Sequence, residues 1–257
     1  MTVAAVDRAA LEQKVKSMYS DVAANPHGDF HFEMGRTMAE RLGYASTDLD
    51  RVPHDAIDSF AGVGYFFHLA DLREGEHVVD LGSGSGMDSF IAALHVGETG
   101  RVVGVDMTDA QLEKATRLAA ARGLSTVSYR QAYIEDTGLP RESFDCVISN
   151  GVINLAADKA RVFQEVARLL KHGGRLALAD IVTDAPLPEN VVCNADLWAA
   201  CIGGAAQLQD YRTSIESAGL RVERIEDNVE YRFISERAQK ATAKWGVKSV
   251  SILARKP

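Results

Sequence analysis

The chain has 257 residues, 46% of them hydrophobic and 25% charged, with a formal net charge of −8. That is an ordinary globular balance with room for one sizeable core and too little chain for two comfortable domains. The acidic balance and the absence of any Lys/Arg cluster exclude nucleic-acid binding by phosphate neutralisation. No apolar run approaches the roughly 18–20 residues that cross a bilayer, so no membrane partner is expected.

Residues 1–7 show no basic segment followed by a long apolar one, and hence no secretion signal. Asp7 caps a predicted helix over about 8–24, with Leu11, Val15, Met18 and Val22 on one stripe. Asn25-Pro26-His27-Gly28 stops it. Residues 29–70 are rich in aromatics and carry short predicted helices over about 32–42 and 54–61.

From Glu76 the pattern becomes strand, helix, strand, helix. Strands are predicted at 77–81, 101–106, 126–131, 144–149 and 175–181, with helices at about 87–95, 109–122 and 158–170. After Val182, Pro186 and Pro188 open an irregular insertion with helices near 191–201 and 208–218. Stretches 220–226 and 248–254 read as two closing strands. The predicted fold class is α/β, a doubly wound and mostly parallel seven-stranded sheet with an amino-terminal helical cap. Residues 1–70 form the cap segment, and 71–257 the main domain with a helical insertion at about 184–218.

In the predicted helix 158–170, Phe163, Val166, Ala167 and Leu170 form the buried stripe and leave Glu165 facing solvent. The three cysteines, Cys146, Cys193 and Cys201, cannot all pair, which suits a reducing compartment and a cytoplasmic address. Cys146 sits inside an apolar strand and is expected in the core.

The chemistry starts at Val78-Val79-Asp80-Leu81-Gly82-Ser83-Gly84-Ser85-Gly86, which leads straight into the helix beginning at Met87. Alternating glycines let the backbone turn tightly and approach a ligand, and the helix amino terminus offers free N–H groups. Twenty residues on, Arg101-Val102-Val103-Gly104-Val105 ends on Asp106, placed to take the hydroxyls of a ribose. A dinucleotide fingerprint wants glycine at position 87, where this chain has methionine. Asp80 and Asp88 bracket the loop with negative charge, which suits a cationic, phosphate-free ligand: S-adenosylmethionine.

The chain resembles the bacterial arsenite methyltransferases, a branch of the Rossmann-like class I S-adenosylmethionine-dependent enzymes. The resemblance rests on Phe30-His31-Phe32, Ser59-Phe60-Ala61-Gly62-Val63-Gly64, the segment from Asp80 to Gly86, and Gly104-Val105-Asp106-Met107-Thr108. It continues through Ile134-Glu135, Ser149-Asn150-Gly151-Val152-Ile153-Asn154-Leu155, Asp158-Lys159 and Cys201-Ile202-Gly203-Gly204-Ala205. It implies that Asp80, Gly82 and Gly84 hold the methionine end and Asp106 the ribose, with Ser83 a further cofactor contact. Met107, Ile134 and Glu135 then surround the adenine, Asn150 closes the site, and Tyr19 adds a cofactor contact.

Trivalent arsenic is soft and thiophilic and is held by cysteine thiolates. Here no cysteine precedes Val78, Gly151 stands where some family members carry a thiol, and Cys201 alone matches. Cys193 and Cys201 are eight apart, roughly 12 Å on a helix, too far for one arsenic without bending. The expected acceptor is therefore a small, largely apolar organic molecule methylated at carbon, nitrogen or oxygen. Phe30, Tyr65, Trp198 and Tyr211 are its expected pocket, and His31, Glu33 and His68 are candidate bases. Arsenite methylation through Cys201 is the alternative, and a non-catalytic S-adenosylmethionine sensor or scaffold the second. His27 and His31 are four apart, but Pro26 and Gly28 break any helix there, so no metal site is expected.

Overall fold

A computed structural model describes residues 8–188, 191 and 203–257. Strands β1 (His77–Leu81), β2 (Arg101–Asp106), β3 (Val127–Gln131), β4 (Phe144–Asn150) and β5 (Leu170–Thr183) lie parallel. A two-residue β6 (Ala206–Gln207) joins β5, and β7 (Arg221–Asp227) and β8 (Lys248–Arg255) close the sheet. The order is β3-β2-β1-β4-β5-β8-β7, with β8 antiparallel to both neighbours. The order reverses between β1 and β4, and ligands of doubly wound sheets bind at the carboxyl ends of the strands at such a switch.

The period-two alternation of each strand sorts its side chains between two cores. Val78, Cys146, Ile148, Ala177, Ala179 and Ile181 face one, and Val79, Leu81, Val147, Leu176, Leu178 and Val182 the other. α6 (Met87–Val96) packs into the first with Phe90 and Ile91, and α7 (Asp109–Ala121) with Leu118. α8 (Lys159–Leu169) and α9 (Leu208–Ser217) fill the second with Phe163, Val166, Tyr211 and Ile215.

The amino-terminal helices are α1 (Arg8–Ala24), α2 (Arg36–Leu42), α3 (Ser46–Leu49), α4 (His54–Asp58) and α5 (Phe67–Ala70). Residues Met38 to Phe67 share the first core with α6, whereas Leu11 and Val15 of α1 pack with Tyr19, Met107 and Leu155. The helix expected from 32 begins only at Arg36, because Gly35 (φ 84°) holds a conformation that ends a helix. The helix expected over 54–61 stops at Asp58, and α3 and α5 join these two. α10 (Glu236–Trp245) was not expected, although Ser235 caps it by accepting from Ala238 N and Gly246 (φ 62°) ends it. The predicted helix at 191–201 lies outside the described residues apart from Val191.

Glu165 corrects the helical-wheel reading. It is buried, accepting from the Thr137 amide at 3.0 Å and paired with Arg168 at 2.6 Å. The loop after β3 folds over that side of α8, a tertiary contact that helix geometry does not contain. Cys146 is fully buried, and burial pushes its thiol up to about 12. Among the described residues no helix is long and apolar enough to cross a membrane.

Candidate active site

The loop after β1 turns through three glycines with positive φ: Gly82 (75°), Gly84 (51°) and Gly86 (93°). A Cβ at Gly82 would lie 2.3 Å from Val152 Cγ2, and one at Gly86 would lie 2.2 Å from the Tyr129 hydroxyl. Both conformation and space therefore demand glycine. Gly86→Ala is expected to cost about 1–3 kcal/mol of stability, and thermal unfolding with and without S-adenosylhomocysteine would show it. An unchanged melting temperature and ligand shift would contradict it.

Asp106, at the end of β2, accepts from Gly84 N at 2.9 Å and from Thr108 N at 2.8 Å. The two amides fix its carboxylate beside the loop, while burial raises its pKa. Asp80, at the end of β1, accepts from the Ser89 hydroxyl at 2.6 Å. Asp88, in the first turn of α6, accepts from Tyr44 Oη at 2.7 Å and from Asn150 Nδ2 at 3.0 Å. Asn150 also accepts from Val63 N at 2.8 Å and donates to Gly64 O at 3.1 Å, tying the loop after α4 to the end of β4. Burial raises the pKa of both acids, and the charge of Asp88 raises that of Asp80 further. An acid in the first turn of α6 sits where a dinucleotide fold would place its pyrophosphate.

Around these groups lies a cavity of about 510 Å³. Tyr19, Asp80, Gly82, Ser83, Gly84, Asp106, Met107, Ile134, Glu135 and Asn150, the ten expected cofactor contacts, all line it. α1 forms one wall through Leu11, Glu12, Val15 and Tyr19. It is fastened there by Gln111 Nε2 donating to Tyr19 O at 2.8 Å, and by Lys16 donating to Glu12 and to Tyr133 Oη. Gln111, Tyr44, Glu12 and Tyr133 were not singled out in the sequence. Gln111 carried a signal, as a polar residue beside Leu112 and Ala115 on the inward face of α7.

The other expected site residues that are described lie elsewhere. His31 packs edge-on against Phe32, Glu33 pairs with Arg41, and His68 pairs with Glu226 at 2.7 Å. None of them lines the cavity, so the three candidate bases are set aside. Tyr65 packs on Tyr44 and stacks on His68. Phe30 stacks on Phe32, one ring away from Tyr19. Tyr211 is buried behind the sheet, where its hydroxyl donates to Asp180 at 2.6 Å. Aromatic side chains gain as much by packing on one another as by lining a pocket, and these three do the former. Trp198, Cys193 and Cys201 lie outside the described residues.

A methyltransferase-domain family model matches residues 72–219. An arsenite methyltransferase of Halobacterium salinarum is 40% identical over 181 residues, 70% of this chain and 46% of its own length. The human arsenite methyltransferase is 40% identical over 151 residues, 55% of this chain and 40% of its own. The crystal structure of an arsenic(III) S-adenosylmethionine methyltransferase from Chlamydomonas reinhardtii superposes with a TM-score of 0.65 at 33% identity. That match covers 87% of this chain and 74% of the other. The chain belongs to the class I S-adenosylmethionine-dependent methyltransferases, in their arsenite methyltransferase-like branch.

This methyltransferase spans about half the length of the curated relatives it matches. Its cofactor is S-adenosylmethionine, and the cavity fits it: a glycine cradle and, among the described residues, buried acids without a cationic partner and a buried Ser83 hydroxyl without a hydrogen bond. The expectation of an organic acceptor is overturned, since the Halobacterium and human relatives and the Chlamydomonas structure, at 33–40% identity, are arsenite or arsenic(III) methyltransferases. The missing thiols carried that expectation, and the rest of the chain outweighs them.

Proposed function

We propose that this chain methylates trivalent arsenic presented as arsenite, with Cys201 as a protein thiolate for the metalloid. The observation that carries the reading is the likeness to arsenite methyltransferases, in sequence and in structure, around a cavity suited to the methyl donor. S-adenosylmethionine, when bound, supplies an electrophilic methyl group on a sulfonium.

The chain's own part is to bind, orient and exclude water. Asp80, Gly82, Ser83, Gly84 and Asn150 take the methionine end, and Asp106 the ribose. Met107, Ile134 and Glu135 frame the adenine, while Tyr19 closes the site from α1. A lone pair on trivalent arsenic carries no proton, so the reaction needs no general base. This agrees with the absence of His31, Glu33 and His68 from the cavity wall. Cys146 is excluded as a ligand by its complete burial and its raised thiol pKa. Cys193 and Cys201 remain, and Cys201 is the one that the resemblance aligns. Val191 and Ala205, on either side of that stretch of sequence, are buried in the same core cluster as Phe60, which lines the cavity. A reducing cytoplasm keeps such cysteines as thiols.

The test is incubation with S-adenosylmethionine, arsenite and a thiol, followed by chromatography with elemental detection. Methylated arsenic is expected from the native chain and none from Cys201→Ser. Equal product from the variant would remove Cys201 from the reaction, and no product from either would overturn the proposal.

A further inference from the structure

The cavity has a charge imbalance that binding an adenosine ligand does not by itself require. Among the described residues its wall carries seven carboxylates, Glu12, Asp80, Asp88, Asp106, Glu135, Asp136 and Asp158, and one cationic side chain, Arg161, while Glu12 is paired with Lys16 at 2.8 Å. Arg161 has a carboxylate beside it, with Asp136 at 3.8 Å. At the floor, Asp80 and Asp88 are buried, and their only side-chain hydrogen-bond donors among the described residues are neutral: Ser89, Tyr44 and Asn150.

Two buried carboxylates that repel each other and face no cation among the described residues are costly. The protein maintains them with fixed donors: Tyr44 Oη reaches one oxygen of Asp88 and Asn150 Nδ2 the other. The amino terminus of α6 adds the favourable end of its dipole to Asp88. A side chain so held is preorganised, and a cationic ligand would supply the counter-charge that the described residues lack. S-adenosylmethionine carries one positive charge more than S-adenosylhomocysteine, on sulfur. Ser83, whose buried hydroxyl has no hydrogen bond among the described residues and lines the same wall, marks this end as built for a polar ligand.

We propose that Asp88, braced by Tyr44 and Asn150, is a specificity-determining residue that makes this site prefer the cationic methyl donor to its neutral demethylated product. Product is thereby released in favour of fresh donor, and self-inhibition is weak. The reading rests on the S-adenosylmethionine assignment and is independent of which acceptor the enzyme uses.

Calorimetric titration of the full chain with S-adenosylmethionine, sinefungin (an ammonium in place of the sulfonium) and S-adenosylhomocysteine tests it without turnover. The native chain is expected to bind both cations more tightly than S-adenosylhomocysteine, on the order of tenfold. Asp88→Asn is expected to bring the ratio close to one while S-adenosylhomocysteine affinity holds, with folding checked by circular dichroism. If that variant does not fold, Tyr44→Phe is read instead. It keeps the carboxylate but removes one donor, and should shift the ratio in the same direction. Tighter binding of S-adenosylhomocysteine than of the cations to the native chain would overturn the proposal. So would an unchanged ratio in a folded variant. Failure of all three ligands to bind would overturn the cofactor assignment as well, which separates the two.

Discussion

Asp106→Ala is expected to weaken S-adenosylhomocysteine binding by about 100-fold or more. Two hydrogen bonds from ribose hydroxyls to a charged acceptor contribute roughly 1.5–3 kcal/mol each, and every 1.4 kcal/mol is tenfold in affinity. The same carboxylate also holds the amides of Gly84 and Thr108, so its loss frees the glycine loop. Asp106→Asn separates the two effects, because its amide oxygen still accepts from one backbone group while the charge is gone. Titration calorimetry reads both variants. An affinity within threefold of native for the alanine variant would show that the ribose is held elsewhere.

The second large effect concerns stability. Arg175, within β5, is 7% exposed and donates to both oxygens of Glu76, at 2.8 and 2.6 Å. It also donates to Ala70 O and to Asp71 O, joining the end of α5 to the entrance of β1 and to β5. Removing one partner of a buried pair costs about 3–5 kcal/mol, because the other charge stays behind without compensation. Arg175→Met should therefore lower the melting temperature by roughly 10 °C in a chain of this size. It removes the guanidinium from Glu76, which keeps the Arg73 amide, and takes a donor from two carbonyls. Thermal unfolding followed by circular dichroism measures this, and a fall of less than about 2 °C would show that the clamp contributes little.

Both residues act through contacts made across the fold, and they differ in how visible they were in the sequence. Asp106 was legible because its role is local: a β-branched run ends on an acid at a fixed distance from a glycine loop. All ten expected cofactor contacts line the cavity, seven of them for the same reason, since β1, β2 and β4 each deliver their last residues, or those of the turn that follows, to one edge. Arg175 was not legible. Nothing near position 175 announces that Glu76 and the carbonyls of Ala70 and Asp71 converge on it from about a hundred residues away.

The same division explains the errors. Tyr65 and Phe30 carry the right chemistry for a pocket wall, but choosing between a pocket and a neighbouring ring is a matter of packing, which composition does not express. Tyr211 faces the other side of the sheet altogether. Glu165 followed the helical wheel until the loop after β3 covered it. α10 shows the reverse case, since Ser235 and Gly246 were readable as its ends and its polar middle hid it. The acceptor was misjudged by weighing two absent thiols against everything else the family shares.

By itself, the sequence determined the alternation of strands and helices, the glycine loop, the acid that follows it, and the cationic character of the ligand. Each of these is written in spacing and residue type within some thirty residues, where backbone geometry alone sets the outcome. Tertiary structure decided how α1 closes the cavity, how Tyr44 and Asn150 brace Asp88, and which aromatics reach the wall. Those contacts join segments that are far apart in the chain, and they form only because burying two faces of one sheet brings them together.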